Sequence, residues 1–467
     1  MKSPITILIS AILLLTSCAS IHALTLDESI RISQSENPAY KSSLLERALD
    51  DPSYRAAWGQ FLPRISLGYG FNQSSFYNPT YLNPDGTVAT YPRQQELSAT
   101  SIDPATGFLR IDSLYTVTVD IPEGDRRGSS LFLRLDETLF DGGRNWLTLK
   151  NSLLSRDLRE SNLSSQGFKL RRDVIHAYSD LVAAERLHLL SATLSEQRRL
   201  QLEVAIIRFE TGSVTRRDVM QAEIDLGRSI NDSLNSALEL RARFEGLNRI
   251  LNFPIDTTYA VNALPDPSPI DDDVDQLTNI ARETRSDLQA AQQTVKLRLN
   301  EFSISQSDYY PSLNANLTHS RSEQSGINVD YTLSPRNRYT EIGLSANWVL
   351  FDRFSRSVRT QEASIRRKQA EISADQMQVT ILQEVRSAYE SLSSLYQQAV
   401  VAVKNRELAE ETLEFELERY RLGSASLLEL GAAQLSLAQA ASDQIRIEAN
   451  YHKAIADLET AVEKELR

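Results

Sequence analysis

Residues able to do chemistry are few in this chain, and they do not converge. Asp271-Asp272-Asp273 has the composition of a metal cluster. Three carboxylates ahead of a helical pattern are better explained as the acidic start of a helix, whose free N–H groups favour negative charge. His176 and His188 lie 12 residues apart, which places them on different faces of a helix rather than around one ion. Gly68-Tyr69-Gly70 falls inside an alternating stretch, not at the strand-to-helix turn that a phosphate loop needs. No Ser/His/Asp set is present. The expected protein is not an enzyme and needs no cofactor or metal.

The single cysteine, Cys18, belongs to the compartment question. Lys2 gives a positive start, Ile5 to Leu15 is an apolar run, and Ile21-His22-Ala23 ends on a small residue. This is a secretory signal over residues 1–23, too short for a spanning helix. Cleavage after Ala23 leaves no thiol for disulfides or thiolate metal sites. Leu15-Thr16-Ser17-Cys18 also fits a lipid-attachment box, so acylation at Cys18 stands as the less favoured alternative.

The remaining residues serve architecture. The chain has 467 residues, 41% hydrophobic and 24% charged, enough for two or three ordinary domains or one elongated repeat. No stretch approaches the 18 apolar residues of a helical span. A net charge of −12 without a basic patch argues against nucleic acid as partner.

Sliding the sequence along itself exposes a duplication. At an offset of 211, Leu139-Phe140-Asp141 falls on Leu350-Phe351-Asp352, and Ala177-Tyr178 falls on Ala388-Tyr389. The same offset sets Gly212-Ser213 on Gly423-Ser424 and Asp218 on Glu429. Upstream, Leu62-Pro63 meets Tyr310-Pro311 at an offset of 248; 248 less 211 leaves 37 residues of expansion in the first copy. The first copy occupies 24–251 and the second 275–467. Pro- and Asp-rich residues 252–274 read as a linker.

Each copy has one internal order. A helix of about 33 residues (Asp27 to Gln60; Asp275 to Tyr309) leads into two alternating stretches. These lie near 62–72 and 130–140 in the first copy, and near 311–319 and 340–351 in the second. Ile65, Leu67, Tyr69 and Phe71 oppose Arg64, Ser66, Gly68 and Asn72; Ile342, Leu344, Ala346, Trp348 and Leu350 oppose Glu341, Gly343, Ser345 and Asn347. Segments of roughly ten residues suit tilted membrane strands. Four strands cannot close a barrel, and an open edge is forbidden in lipid. Several chains must therefore pool strands, two giving eight or three giving twelve. In the loop 72–130, Leu114 to Val119 alternates as an extra hairpin outside the membrane.

Very long helices follow, from Gly143 to Arg208 and from Arg353 to Arg419, each on the order of 100 Å at 1.5 Å per residue. Leu170, Val174, Ala177, Leu181, Ala184 and His188 form a coiled-coil seam, repeated as Ile381, Val385, Ala388, Leu392, Leu395 and Ala399. A second stripe, Ile175, Tyr178, Val182 and Leu189, implies neighbours on two sides. His188 is a tolerated seam residue. Short glycine breaks near 212 and 423 precede the return helices.

With these features assembled, the mature chain resembles the TolC-like outer membrane factor family throughout. The most specific part is the tip from Arg208-Phe209-Glu210-Thr211-Gly212-Ser213 to Asp218 and Gln221-Ala222, echoed by Arg419-Tyr420-Arg421-Leu422-Gly423-Ser424 to Glu429. Asn37-Pro38 and the two Phe-Asp junctions add to it. The resemblance implies a mainly α fold with a β-barrel part, a homotrimer forming a 12-stranded barrel in the outer membrane and a 12-helix periplasmic tunnel. It implies outer-membrane lipid, a periplasmic adaptor protein and an inner-membrane transporter as partners, and a passive exit duct in tripartite efflux or type I secretion. The alternative is a structural coiled-coil surface protein with no pore.

The resemblance assigns adaptor docking to Phe209, Thr211, Gly212, Ser213, Tyr420, Leu422, Gly423 and Ser424. It assigns the pore constriction to Glu429 and Asp218. Ala432 replaces the family's second acidic residue, leaving one ring carboxylate from Glu429. The arginine that ties the family's closed-state lock to the places of Asp218 and Tyr420 is Ala425 here, so the lock is absent or is rebuilt through Arg216, Arg217 or Arg421. Acylated relatives keep Cys18 in view. Against acylation, the helix from Asp27 starts some 50 Å below the membrane, while Cys18 to Leu26 spans at most about 30 Å.

Overall fold

The computed structural model describes residues 23–76, 94–107, 109–117, 124–325, 338–422 and 424–466. The signal segment with Cys18, and Gly423, lie outside the described residues. In chain order the first copy contains α1 (Leu26–Glu36), α2 (Pro38–Arg47), α3 (Asp50–Gly59), β1 (Arg64–Phe76), β2 (Gln94–Ile102), β3 (Leu109–Val117), β4 (Gly124–Phe140), α4 (Arg144–Glu210) and α5 (Arg216–Leu251). The second contains α6 (Val274–Thr284), α7 (Ser286–Ser307), β5 (Ser312–Ser325), β6 (Arg338–Asn347), α8 (Ser355–Arg421) and α9 (Leu427–Val462).

The 211-residue offset holds at helix ends. α4 and α8 both have 67 residues, and α5 and α9 both have 36. The helices that open each copy are not continuous, contrary to the expectation. Pro38 has no N–H to continue α1, and Asn37 instead caps α2 through Oδ1, which accepts from the Ala39 and Tyr40 N–H groups. In the second copy the break falls at Arg285, whose extended ψ of 111° separates α6 from α7.

Two compact units can be distinguished. One contains the strands. Its four-stranded antiparallel sheet has the order β1-β4-β5-β6, so β4 of the first copy pairs with β5 of the second. The strands overlap the expected ranges and mostly exceed them. β6 is the exception and stops at Asn347, because its last partner is Ser312 and Pro311 beyond it cannot donate to the ladder. Ile65, Leu67, Tyr69, Phe71, Ile342 and Leu344 are all exposed on this sheet. Gly68 lies in strand β1 opposite Phe132, where a β-carbon would come within 2.3 Å of the ring. β2 and β3 form a separate hairpin, as the alternation from Leu114 implied; Thr118 and Val119 lie outside the described residues.

The other unit is helical, and its cores are the seams. Val174 and Leu181 are fully buried in α4, as are Ile381 and Val385 in α8, with Leu392 nearly so. The second stripe holds through Ile175, Tyr178 and Val182 but ends at Leu189, which is 69% exposed. α4 also runs beside α9. Arg171–Glu459, Asp180–Lys453 and Arg186–Glu448 form a series of ion pairs at 3.3, 2.8 and 2.5 Å, with His176 Nε2 lying 3.0 Å from Asp457 Oδ1 among them. Partly exposed pairs add little stability, but the reversed sign at Asp180–Lys453 penalises a slipped register. His188 bonds Ser236 at 2.9 Å inside the first seam.

The linker is more than a tether. Tyr259 packs edge-on against Phe244 and Phe253. Leu24 bridges Val261, and the one proton of the Tyr178 hydroxyl is shared between the carbonyls of Leu24 and Asn262, at 2.8 and 2.9 Å. Asp273 takes the N-cap position of α6.

Candidate functional site: the paired helical turns

The Phe-Asp pairs begin the long helices. Asp141 Oδ2 accepts from the Asn145 N–H at 2.9 Å, and Asp352 Oδ2 accepts from the Arg356 N–H at 2.8 Å. A carboxylate there satisfies otherwise unpaired donors and complements the helix dipole.

At their far ends the long helices stop by one shared device. The Ser213 N–H donates to the Arg208 carbonyl at 2.8 Å, and the Ser424 N–H donates to the Arg419 carbonyl at 2.8 Å. This is the six-residue closing bond of a helix C-cap, which needs a left-handed residue. Gly212 supplies it, at φ +74°. Thr211, Ser213 and Ser424 are exposed, Phe209 is 44% exposed and Leu422 is 81% exposed. These side chains are therefore open for contact.

The return helices begin with paired capping boxes. Asp218 accepts from the N–H and hydroxyl of Thr215, both at 2.8 Å. Glu429 does the same for Ser426, at 2.6 and 2.9 Å. Hydrogen bonds from the Thr215 hydroxyl and N–H, with Arg217 nearby, hold Asp218 below the usual carboxylate range. Bonds from the Ser426 N–H and hydroxyl, with Arg419 nearby, hold Glu429 low as well. Both carboxylates stay ionised at neutral pH.

The two turns face each other across a cleft of about 570 Å³. Leu200, Val204, Arg208 and Asp218 line one side; Tyr420, Ala425 and Leu430 line the other. Across it the Arg208 guanidinium donates to the Tyr420 hydroxyl, and its carbon lies 4.6 Å from that ring's centroid. Arg208 is thus the arginine seen to bridge the two turns of one chain. Arg421 pairs with Glu418 at 2.6 Å, because three residues along a helix bring them side by side. Arg208 was overlooked, although the repeat carried a signal in Arg208-Phe209 over Arg419-Tyr420. The second arginine is used differently, on Glu416 and the Ser424 carbonyl.

Comparison with known proteins draws these features together. The family model described as Outer membrane efflux protein matches residues 30–252 and 277–462. The chain belongs to this family. No curated protein sequence matches it. Among solved structures, the fold is similar to the CmeC outer membrane channel of Campylobacter jejuni, at TM-score 0.75 and 15% identity, covering 95% of this chain and 87% of that one. It is also similar to the outer membrane protein VceC of Vibrio cholerae, at TM-score 0.73 and 15% identity over 95% and 97% of the two chains. A third match is the open state of the MtrE outer membrane channel of Neisseria gonorrhoeae, at TM-score 0.71 and 16% identity over 97% and 94%.

The chain is therefore an outer-membrane efflux channel of mainly helical fold, extending into the periplasm. No described helix is long and apolar enough to cross a membrane.

Proposed function

We propose that this protein is the passive exit duct of a tripartite export machine, assembled as a homotrimer. The observation that carries it is the open sheet. Among the described residues β1 and β6 each have a single neighbour, and unpaired strand edges cannot persist in lipid. Pairing β6 of one copy with β1 of the next closes the sheet, and three copies give twelve strands with twelve tunnel helices below. The apolar residues exposed on β1 and β6 then face lipid.

On this reading the turns at Gly212 and Gly423 form the periplasmic entrance. Phe209, Thr211, Gly212, Ser213, Tyr420, Leu422, Gly423 and Ser424 meet the periplasmic adaptor, which joins the duct to an inner-membrane transporter. Glu429 and Asp218 supply carboxylates at the constriction, and a carboxylate ring favours cations. Arg208 and Tyr420 clasp the two turns of one chain and hold the entrance closed. Efflux and type I secretion both need such a duct, and the transporter selects the cargo.

The test is single-channel recording of the purified chain in planar bilayers, with its mass measured in detergent. The expected result is a trimer with discrete, cation-selective conductance. A purified trimer with no conductance would instead support a structural coiled-coil surface protein.

A further inference from the structure

The second strand-to-helix junction breaks a backbone rule that the first one keeps. Between β4 and α4 the chain turns through Gly142 and Gly143, at φ +71° and +87°. The 211-residue offset puts Arg353 and Phe354 at this point in the second copy, and both hold left-handed angles, +59° and +66°. Glycine reaches such angles freely, whereas a β-carbon meets the following carbonyl, and a bulky side chain there is an outlier. Strain of this kind persists where the surroundings fix it for a purpose.

Helix initiation is not that purpose. The first copy makes the same turn with glycines, and Asp141 and Asp352 cap the following helices alike. What the second copy gains is two side chains. Phe354 is 70% exposed, and its ring meets the equally exposed Phe351 edge-on at 5.6 Å. Arg353 is exposed beside them. Along the chain the rings follow a run of exposed apolar side chains that starts within β6: Ile342 and Leu344, then Trp348 and Leu350 past the strand end, each more than half exposed.

That continuity identifies the occupant. The run begins on a membrane strand, and its far end lies where the strand stops and a helix begins, at the level of the headgroups. Aromatic rings concentrate at this level. A guanidinium fork matches phosphate oxygens.

We infer that Phe351, Arg353 and Phe354 form a membrane-interface anchor whose partner is the phospholipid headgroup layer beside β6. The inference rests on reading β6 as a membrane strand. The anchor occurs once per chain, because its counterpart in the first copy is a pair of glycines.

The test uses the full chain with Phe354→Trp, reconstituted in phosphatidylethanolamine–phosphatidylglycerol vesicles containing phospholipid brominated high or low on its acyl chains. Fluorescence added over the native tryptophans should be quenched mostly by the shallow bromines. Phe351→Trp, at a position without backbone strain, is read the same way if the first variant folds poorly. Leu344→Trp, within β6, should be quenched more strongly by the deep bromines. If Leu344→Trp escapes quenching, the membrane-strand reading fails. If it is quenched while the tryptophans at 351 and 354 are not, the anchor alone is overturned. Red-shifted emission from those two positions would then indicate water, and blue-shifted emission would indicate a protein neighbour.

Discussion

Arg208→Ala should loosen the entrance by a predictable amount. The side chain gives Tyr420 a charged hydrogen bond and a cation–π contact at 4.6 Å. A charge-assisted hydrogen bond contributes about 1.5–3 kcal/mol, and a partly exposed cation–π contact about 0.5–1 kcal/mol. Releasing the arginine returns up to about 2 kcal/mol of rotamer entropy. With that entropy fully returned, the mid-range net loss is about 1 kcal/mol per chain, which shifts a closed-to-open ratio roughly fivefold. Open probability in planar bilayers is the readout, with heat unfolding in detergent as the control for fold. Tyr420→Phe keeps the ring and should give an intermediate shift. The double variant Arg208→Ala/Tyr420→Phe should open no more than Arg208→Ala alone, because both substitutions remove one contact. An Arg208→Ala channel with wild-type gating, or fully additive effects of the two substitutions, would refute the clasp.

Two further outcomes follow from the titrating groups. Glu429→Gln keeps the capping box, since glutamine also serves at that position, yet it removes the ring charge; cation selectivity and block by multivalent cations should both fall, and unchanged reversal potentials would sink the ring. The bonds from Ser426 lower the folded-state pKa of Glu429, so its charge and its share of stability are present above the ordinary carboxylate range near about 4.3. Wild-type selectivity should therefore hold from neutral pH down to that range and decline only in stronger acid. Burial, then the nearby Tyr178, pushes Tyr259 up to about 12, and its hydroxyl has no hydrogen-bond partner among the described residues. The neutral phenol is favoured in the fold, so stability is intact below about pH 10 and erodes toward pH 12. Tyr259→Phe should leave neutral-pH melting unchanged or higher and reduce alkaline unfolding, whereas Tyr178→Phe should lower melting, having lost bonds to Leu24 and Asn262.

Much of the helical unit was readable before any coordinates. Val174, Leu181, Ile381, Val385 and Leu392 are buried where the seam spacing put them, because a helix converts spacing into a face. The Phe-Asp junctions and the Gly212 turn were legible for a similar reason: caps are built from residues within a few positions of one another. The Pro38 and Arg285 breaks were missed, since an apolar stripe continues in phase across a short interruption. The site was legible in outline. Its exposed turn residues and the two capping carboxylates came from the tip pattern, but Arg208 did not.

Sequence alone therefore determined the duplication, the two long helices with their returns, the strand faces and the capped turns, all of which depend on neighbours along the chain or on a period. Only tertiary structure decided the rest. It set β4 against β5, aligned α4 with α9 through alternating ion pairs, and brought Arg208 to Tyr420 across 212 residues. It also revealed left-handed angles at Arg353 and Phe354. Contacts of that kind depend on how separate segments are brought together in space, and no local spacing encodes them.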